Sequence, residues 1–490
     1  MATSLPQSFY RAEQVREGEQ AVAQTLNIPM YQLMLRAGQA VFDSINQYYP
    51  NVARLLIVCG AGNNAGDGYV IARLAKSSGL NVTVWSLVDP NKLSGDAATA
   101  WQEWTDCGGD YTKSQPVVAQ FDVIVDAILG TGLSRTVEGD VAEAITAVNQ
   151  SQVPIVAVDI PSGLCANSGY VKGVAVNADI TVTLIALKQG LLTGQAVAHR
   201  GELIFAGLNV ATAFARQSEP AGQLIRDDIN DQYLPTRSRS AHKGLFGRVL
   251  CLGGDHGMAG AITLSAQAAL RTGAGLVKVV TQKDHTLMLV TRQPELMTQS
   301  WAPGQSLSEA LSWATHLVIG PGLGNSAWSE ALWKIAIASR RPKVIDADGL
   351  NKLARQPQQR DDWILTPHPG EAARLLGCDV DDVELDRFAA VKAIQTRYGG
   401  VAVLKGAGTI VYDGTNYAVA NVGNPGMASG GMGDILSGVI ASLLAQGVDL
   451  FSAAALGCYL HGKAGDHAAR AGERGLLASD LLPHLQQLVD

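Results

Sequence analysis

Apolar residues in this chain come in short unbroken runs, each closed by glycine, proline or a charge, with helix-spaced segments between them. The first run is Arg54-Leu55-Leu56-Ile57-Val58-Cys59, and others lie at 82–88, 121–127, 155–159 and 202–205. Runs without polar alternation are the mark of strands buried on both faces, hence of a parallel sheet. Helical periodicity falls at 12–25, 29–48, 69–78 and 94–105, with Pro29 placed to open its helix. Periodicity fades at 213–223, and the alternation then resumes. Strand runs at 248–252, 276–280, 317–319, 344–349, 364–371 and 401–406 follow, with a helix at 262–271 and a hairpin at 409–420 turning on Asp413-Gly414. Strands alternating with helices predict an α/β chain, and the fade predicts two domains, 1–215 and 222–490.

Composition narrows the function. With 490 residues, 47% hydrophobic but only 6% aromatic, the chain affords large cores of Ala, Val, Leu and Gly. A formal charge of −7 disfavours a nucleic-acid partner, which calls for a basic face. The six cysteines are scattered without metal spacing and read as thiols in a reducing compartment. Residues 1–17 are too polar for a signal peptide, and no apolar run is long enough to span a bilayer. A cytoplasmic protein that binds small molecules and no membrane is expected.

Candidate chemistry gathers where the strand runs end. In the first half these ends are Gly60-Ala61-Gly62-Asn63-Asn64-Ala65-Gly66-Asp67-Gly68, Leu129-Gly130-Thr131-Gly132-Leu133-Ser134-Arg135, and Ile160-Pro161-Ser162-Gly163. Carboxylates Asp126 and Asp159 precede the last two, and the carboxyl edge of a parallel sheet is where ligands bind. The first loop lacks the Lys-Ser/Thr of a P-loop. Asn63 and Asn64 suit a hard cation, a ribose hydroxyl or a turn; Asp159 suits acid–base work or a cap on the turn into Pro161.

The ordered set G-x-G-N-N-x-G-D-G, D-A-x-x-G-T-G and V-D-I-P-S-G resembles the N-terminal domain of the NAD(P)H-hydrate epimerases over about residues 10–210. The resemblance implies a Rossmann-like three-layer α/β/α domain and a potassium ion held by Asn64, Asp126 and Ser162. It implies hydrate contacts from Asn63, Asn64, Ala65, Gly66 and Asp67, from Gly130, Thr131, Gly132, Leu133, Ser134, Arg135 and Thr136, and from Asp159. Ala65 stands where the family more often has glycine, a change that matters only if the backbone there needs positive φ. Epimerising the hydroxyl-bearing ring carbon needs ring opening or proton shuffling, for which Asp159 is the first choice.

In the second half the strand ends carry Gly253-Gly254-Asp255, Gly320-Pro321-Gly322-Leu323-Gly324, Asp346-Ala347-Asp348, Thr366-Pro367-His368-Pro369-Gly370-Glu371 and Lys405-Gly406. The richest stretch is Asn424-Pro425-Gly426-Met427-Ala428-Ser429-Gly430-Gly431-Met432-Gly433-Asp434, which runs into a helical pattern. Small residues at a helix start let backbone N–H groups approach an anion. Asp434 sits at the junction, out of place beside a phosphate unless it has chemistry to do. His368, pinned between prolines, reads as a ligand contact; Lys405 serves a phosphate or snorkels at a sheet edge. The basic stretch 236–244 reads as a solvated loop.

Together these motifs resemble the ADP/ATP-dependent NAD(P)H-hydrate dehydratases over about residues 225–488. The resemblance implies a ribokinase-like α/β/α domain. It also implies ADP on Lys405, Gly406, Ala407, Gly408, Thr409 and Gly433, with Mg²⁺ on the phosphates, and hydrate on Ala261, Gly324, His368 and Asp434. A two-domain repair enzyme acting on hydrated NADH and NADPH follows, expected as a homo-oligomer, a tetramer or larger. Asp434 would be the base that turns the hydrate hydroxyl on the β-phosphate of ADP. The competing expectations are a ribokinase-like vitamin or sugar kinase and a nucleotide-binding regulatory module.

Overall fold

Strand Arg54–Cys59 shows how the first half is built. Its Leu55, Ile57 and Cys59 enter one core cluster while Leu56 and Val58 enter another, so both faces are covered and no position is left for a polar residue. This is the physical reason for the unbroken apolar run. The computed structural model describes residues 5–227 and 233–490; the first four residues of the polar 1–17 segment lie outside them. The chain divides into two units, 1–223 and 224–490.

In the first unit six parallel strands run in the order Asn81–Ser86, Arg54–Cys59, Val123–Ala127, Ile155–Val158, Ile180–Leu184, Glu202–Ala206. The chain leaves Arg54–Cys59 to one side and returns on the other, which opens a crevice between the carboxyl ends of Arg54–Cys59 and Val123–Ala127. Helices Ala12–Thr25, Met30–Tyr48 and Asn63–Ser77 supply one core, and Gly139–Gln150 packs Ala144, Ile145 and Val148 into the other.

The second unit has, among the described residues, a nine-strand run. Its order is Met297–Ser300, Leu276–Thr281, Arg248–Leu252, His316–Ile319, Lys343–Ile345, Trp363–Leu365, Val401–Leu404, Thr409–Tyr412, Tyr417–Ala420. The first seven are parallel and the last two form the expected antiparallel hairpin. The strand order again reverses, between Arg248–Leu252 and His316–Ile319. Helices Ala259–Arg271, Met432–Ala445 and Leu450–Ala468 cover one face with small residues that allow close packing, among them Ala266, Ala441 and Ala454, each with no exposed surface.

Two local expectations are corrected. The helix after the first glycine loop starts at Asn63, not Tyr69, so only Gly60–Gly62 is true loop. Gly60 is required there because a Cβ would sit 2.0 Å from the carbonyl oxygen of Ile128. The fading stretch 213–223 holds a short helix, Ala211–Gln217, which buries one large residue, Phe214, edge-on to Tyr10 at 4.9 Å between ring centroids. One anchor per seven residues leaves no periodicity to read. No helix among the described residues is long and apolar enough to cross a membrane.

Candidate active sites

At the first unit's crevice Asp126 is 1% exposed at the end of its strand. Its carboxylate accepts from Ser162 N at 2.8 Å, Ser162 Oγ at 2.6 Å and Ile128 N at 3.2 Å. Ser162 Oγ accepts from Leu129 N at 2.8 Å, and Asn64 Nδ2 donates to the Leu129 carbonyl at 3.1 Å. Asn64, Asp126 and Ser162, three residues from three strand-end segments, therefore form one hydrogen-bonded group around Leu129. Burial pushes Asp126 up to about 6 even against those donors. A buried carboxylate among hydroxyl, amide and carbonyl oxygens fits a hard cation of low charge. No cluster of three or more His, Cys, Asp or Glu suited to a metal occurs among the described residues.

Beside this group lies a cleft of about 490 Å³, lined by Asn63, Asn64, Asp67, Asp159 and the 130–135 loop. The structure thus brings together most of the expected residues: Gly130, Thr131, Gly132, Leu133, Ser134 and Arg135 all face it. Ala65 and Gly66 do not line it; Ala65 is fully buried in the helix with no positive φ, so alanine costs nothing there, and Gly66 is pressed against Met34. Thr136 is not among the lining residues and sits beside Gly173.

Asp159 is held in the left-handed region at φ +67°. Its Oδ1 accepts from Leu184 N at 2.9 Å and is ion-paired with Lys188, whose ammonium also donates to the Leu184 carbonyl at 2.8 Å. Lys188 is 1% exposed. Two further acids share the cleft. Burial, then the charges of Asp159 and Glu19, drive Asp67 well above the ordinary carboxylate range; burial, then Asp159, pushes Glu19 up to about 7. Sequence reasoning missed Glu19 and Lys188. Glu19 had a signal: it stands four residues after Val15 and three before Val22, inside the buried stripe of its helix.

In the second unit Lys405, at the end of its strand, donates to Asp346 Oδ1 at 2.7 Å and lies 3.7 Å from Glu371. Burial pulls the ammonium down, but Asp346 and Glu371 outweigh it and hold Lys405 charged. Asp434 falls in the first turn of Met432–Ala445, where burial and then Asp346 push it up to about 7 against the opposing effect of Lys405. Gly433 leaves the approach open: a Cβ there would meet Lys405 Nζ at 3.0 Å and Asp346 at 3.4 Å.

His368 caps helix Pro369–Leu376, its Nδ1 accepting from Gly370 N at 3.0 Å while its own N–H donates to Glu371 at 2.9 Å. Burial, then Lys405, lowers the pKa of the half-exposed ring.

Gly406, at φ +142°, runs past the Arg387 guanidinium, and residues 405–409 connect two strands with Ala407 exposed and Gly408 buried; Thr409 Oγ1 accepts from Gly406 N at 3.3 Å. Gly324 donates to Asp348 at 2.8 Å, and the charge of Asp348 acts on Asp434. Ala261, in the first turn of Ala259–Arg271, packs against Gly322. Asp346 and Glu371 stood inside the quoted motifs without a role and prove to be the partners of Lys405. A larger cavity of about 1110 Å³, around Arg237, Gln446 and Asp490, is lined by none of the expected residues; Arg237 there is tied to the Gly273 carbonyl at 2.7 Å while 238–240 is exposed.

Known proteins match both units. The model of YjeF-related protein N-termini matches residues 30–190, and that of NAD(P)H-hydrate dehydratases matches 249–487. A bifunctional NAD(P)H-hydrate repair enzyme of Vibrio cholerae is 48% identical over 488 residues, 99% of each chain. The chain belongs to that family. Its Escherichia coli relative of the same name is 46% identical, covering 99% of this chain and 95% of that one. A ribokinase-like superfamily protein from Enterococcus faecalis is 29% identical over 54% of this chain and 94% of its own, with a TM-score of 0.51. Membership makes this a bifunctional enzyme with an epimerase and a dehydratase domain, both α/β, and the kinase and regulatory-module expectations give way.

Proposed function

We propose that the first unit interconverts the R and S epimers of hydrated NADH and NADPH, and that the second dehydrates the S epimer with ADP, giving NAD(P)H, AMP and phosphate. The observation that carries the second step is Asp434, a carboxylate pushed up to about 7 at a glycine-lined helix start beside a charged lysine. A base poised near neutrality takes the proton of the hydrate hydroxyl as that oxygen attacks the β-phosphorus, and the bond from that phosphorus to the bridging oxygen breaks to release AMP. Lys405, the backbone of 405–409 and the amides at the start of Met432–Ala445 neutralise the phosphates. The phosphorylated oxygen then leaves as phosphate, expelled by the ring-nitrogen lone pair, and loss of a proton from the adjacent carbon restores the dihydropyridine. Asp346 and Glu371 are carboxylates whose oxygens would suit Mg²⁺ on the phosphates, leaving Asp434 free as the base.

In the first unit Asp159 is the base. Asn64, Asp126 and Ser162 would hold K⁺, which when bound fixes the three segments and balances Asp126. Assembly into a tetramer or larger and residence in the cytoplasm belong to the same proposal. The test is the whole chain with mixed R and S hydrate, ADP, Mg²⁺ and K⁺. Complete conversion to NAD(P)H at a rate above spontaneous epimerisation is expected; conversion that halts once the S epimer is spent would refute the first unit's role.

A further inference from the structure

Among the titratable groups that line the first unit's cleft are three carboxylates and a buried ammonium, and the chemistry above employs only one of these four. Glu19, Asp67 and Asp159 are carboxylates and Lys188 is the ammonium among them. Three like charges crowded round one cation do not all ionise, so the set holds a proton. Lys188 is committed to Asp159 and to the Leu184 carbonyl, which sets Asp159 apart as the acid paired with the ammonium. Asp67, 8% exposed on helix Asn63–Ser77, is too deep to exchange a proton freely. Glu19 reaches the cleft from helix Ala12–Thr25 and is only half-buried.

Resting on the epimerase reading, we propose that Glu19 is the proton donor of this site, paired with Asp159 as base, and that Lys188 is the positioning residue that keeps Asp159 ionised. Asp159 takes the proton of the ring hydroxyl. The C–O bond becomes a carbonyl, the carbon–nitrogen bond breaks, and its electron pair stays on nitrogen, which receives the Glu19 proton. Rotation about the adjoining carbon–carbon bond presents the other carbonyl face. Nitrogen then re-adds to that face, returning its proton to Glu19, while Asp159 returns the hydroxyl proton. Nothing is consumed, as an epimerisation requires.

The charged groups around Glu19 are Arg16 on its own helix, Asp67, Asp96 on helix Gly95–Asp106, Arg135 on the 130–135 loop, Asp159 and Lys188. The acids outnumber what Lys188 offsets, and burial with Asp159 holds Glu19 near 7. Because the donor must carry its proton, epimerisation falls as pH rises past about 7.

The test uses the full chain without ADP, following R-to-S conversion by chromatography with the spontaneous rate subtracted. Glu19→Gln is expected to lower kcat about 100-fold with KM within about threefold. It also removes the fall above pH 7, while dehydration of the S epimer with ADP is unchanged; Glu19→Asp recovers part of the rate. Epimerisation by Glu19→Gln within about threefold of wild type, or an unaltered pH limb, overturns the proposal. So does a loss that comes with a lowered melting temperature and no recovery in Glu19→Asp, which marks a structural role. Failure of the wild-type chain to epimerise refutes instead the reading of the first unit.

Discussion

The two sites are built from the same parts in different order. Each sets three carboxylates around one lysine near the carboxyl edge of a parallel sheet, close to the start of a helix that follows a glycine-bearing segment: Glu19, Asp67 and Asp159 around the buried Lys188, and Asp346, Glu371 and Asp434 around the partly buried Lys405. What differs is which acid the lysine takes. In the second unit Lys405 binds Asp346 and lies 3.7 Å from Glu371, and burial raises both Glu371 and Asp434. In the first, Lys188 binds the proposed base itself, and the acids left to hold a proton are Glu19 and Asp67. A site that hands phosphate to an oxygen needs a single base and an anion hole. One that opens and closes a ring needs a base and an acid together. The ammonium is paired with the proposed base in the first site and with a neighbouring acid in the second.

The sharpest break of this comparison is Asp434→Asn. Dehydration with ADP should drop about 10³-fold while epimerisation is untouched; equal losses in both assays would show that the sites are not independent. Lys188→Met comes next: epimerisation should fall about 100-fold. Unfolding of the first unit should also become easier by roughly 3 kcal/mol, because a buried partner is stranded; chemical denaturation followed by a probe in that unit measures it. The pH profile separates the sites again. Asp434 works ionised, so dehydration should fall nearly tenfold per unit below about pH 7, whereas epimerisation should fall above it. The smallest effect concerns Asp126. Its folded value, about 6, lies above the ordinary 3.8, so the folded state binds the extra proton. Without K⁺, stability of the first unit should therefore decline as pH rises from about 4 to about 6. Replacing tetramethylammonium by K⁺ should cancel that decline and raise the melting temperature by a few degrees, with epimerisation several-fold faster.

The order of strands came only with the fold, whereas the parallel sheets and the strand-end position of the chemistry were legible because doubly buried strands leave unbroken apolar runs. Helix starts were less so: Asn63 to Gly68 looks like a turn by composition, yet amides near a ligand site are put to use by starting the helix early. Lys188 was invisible for another reason. It sits in the two-residue strand Leu187–Lys188, too short for any period, and its partner Asp159 is 29 positions away. Asp346 and Glu371 were in view inside motifs, but only the fold shows that both turn toward Lys405. Pairings across a sheet edge are written in topology, not in spacing.

Asp159 holds its carboxylate at the cleft only by accepting φ +67°, and in the second unit Ala347, between Asp346 and Asp348, stands at φ +48°. The left-handed region costs most residues roughly 1–2 kcal/mol, and aspartate is among the few that visit it for less. Glycine at 159 would relieve that small strain but strand the buried Lys188 ammonium, at a larger cost of roughly 3 kcal/mol. The ion pair therefore ties the proposed base into the architecture of its domain, and a lineage freed from handling the R epimer would still be slow to lose it.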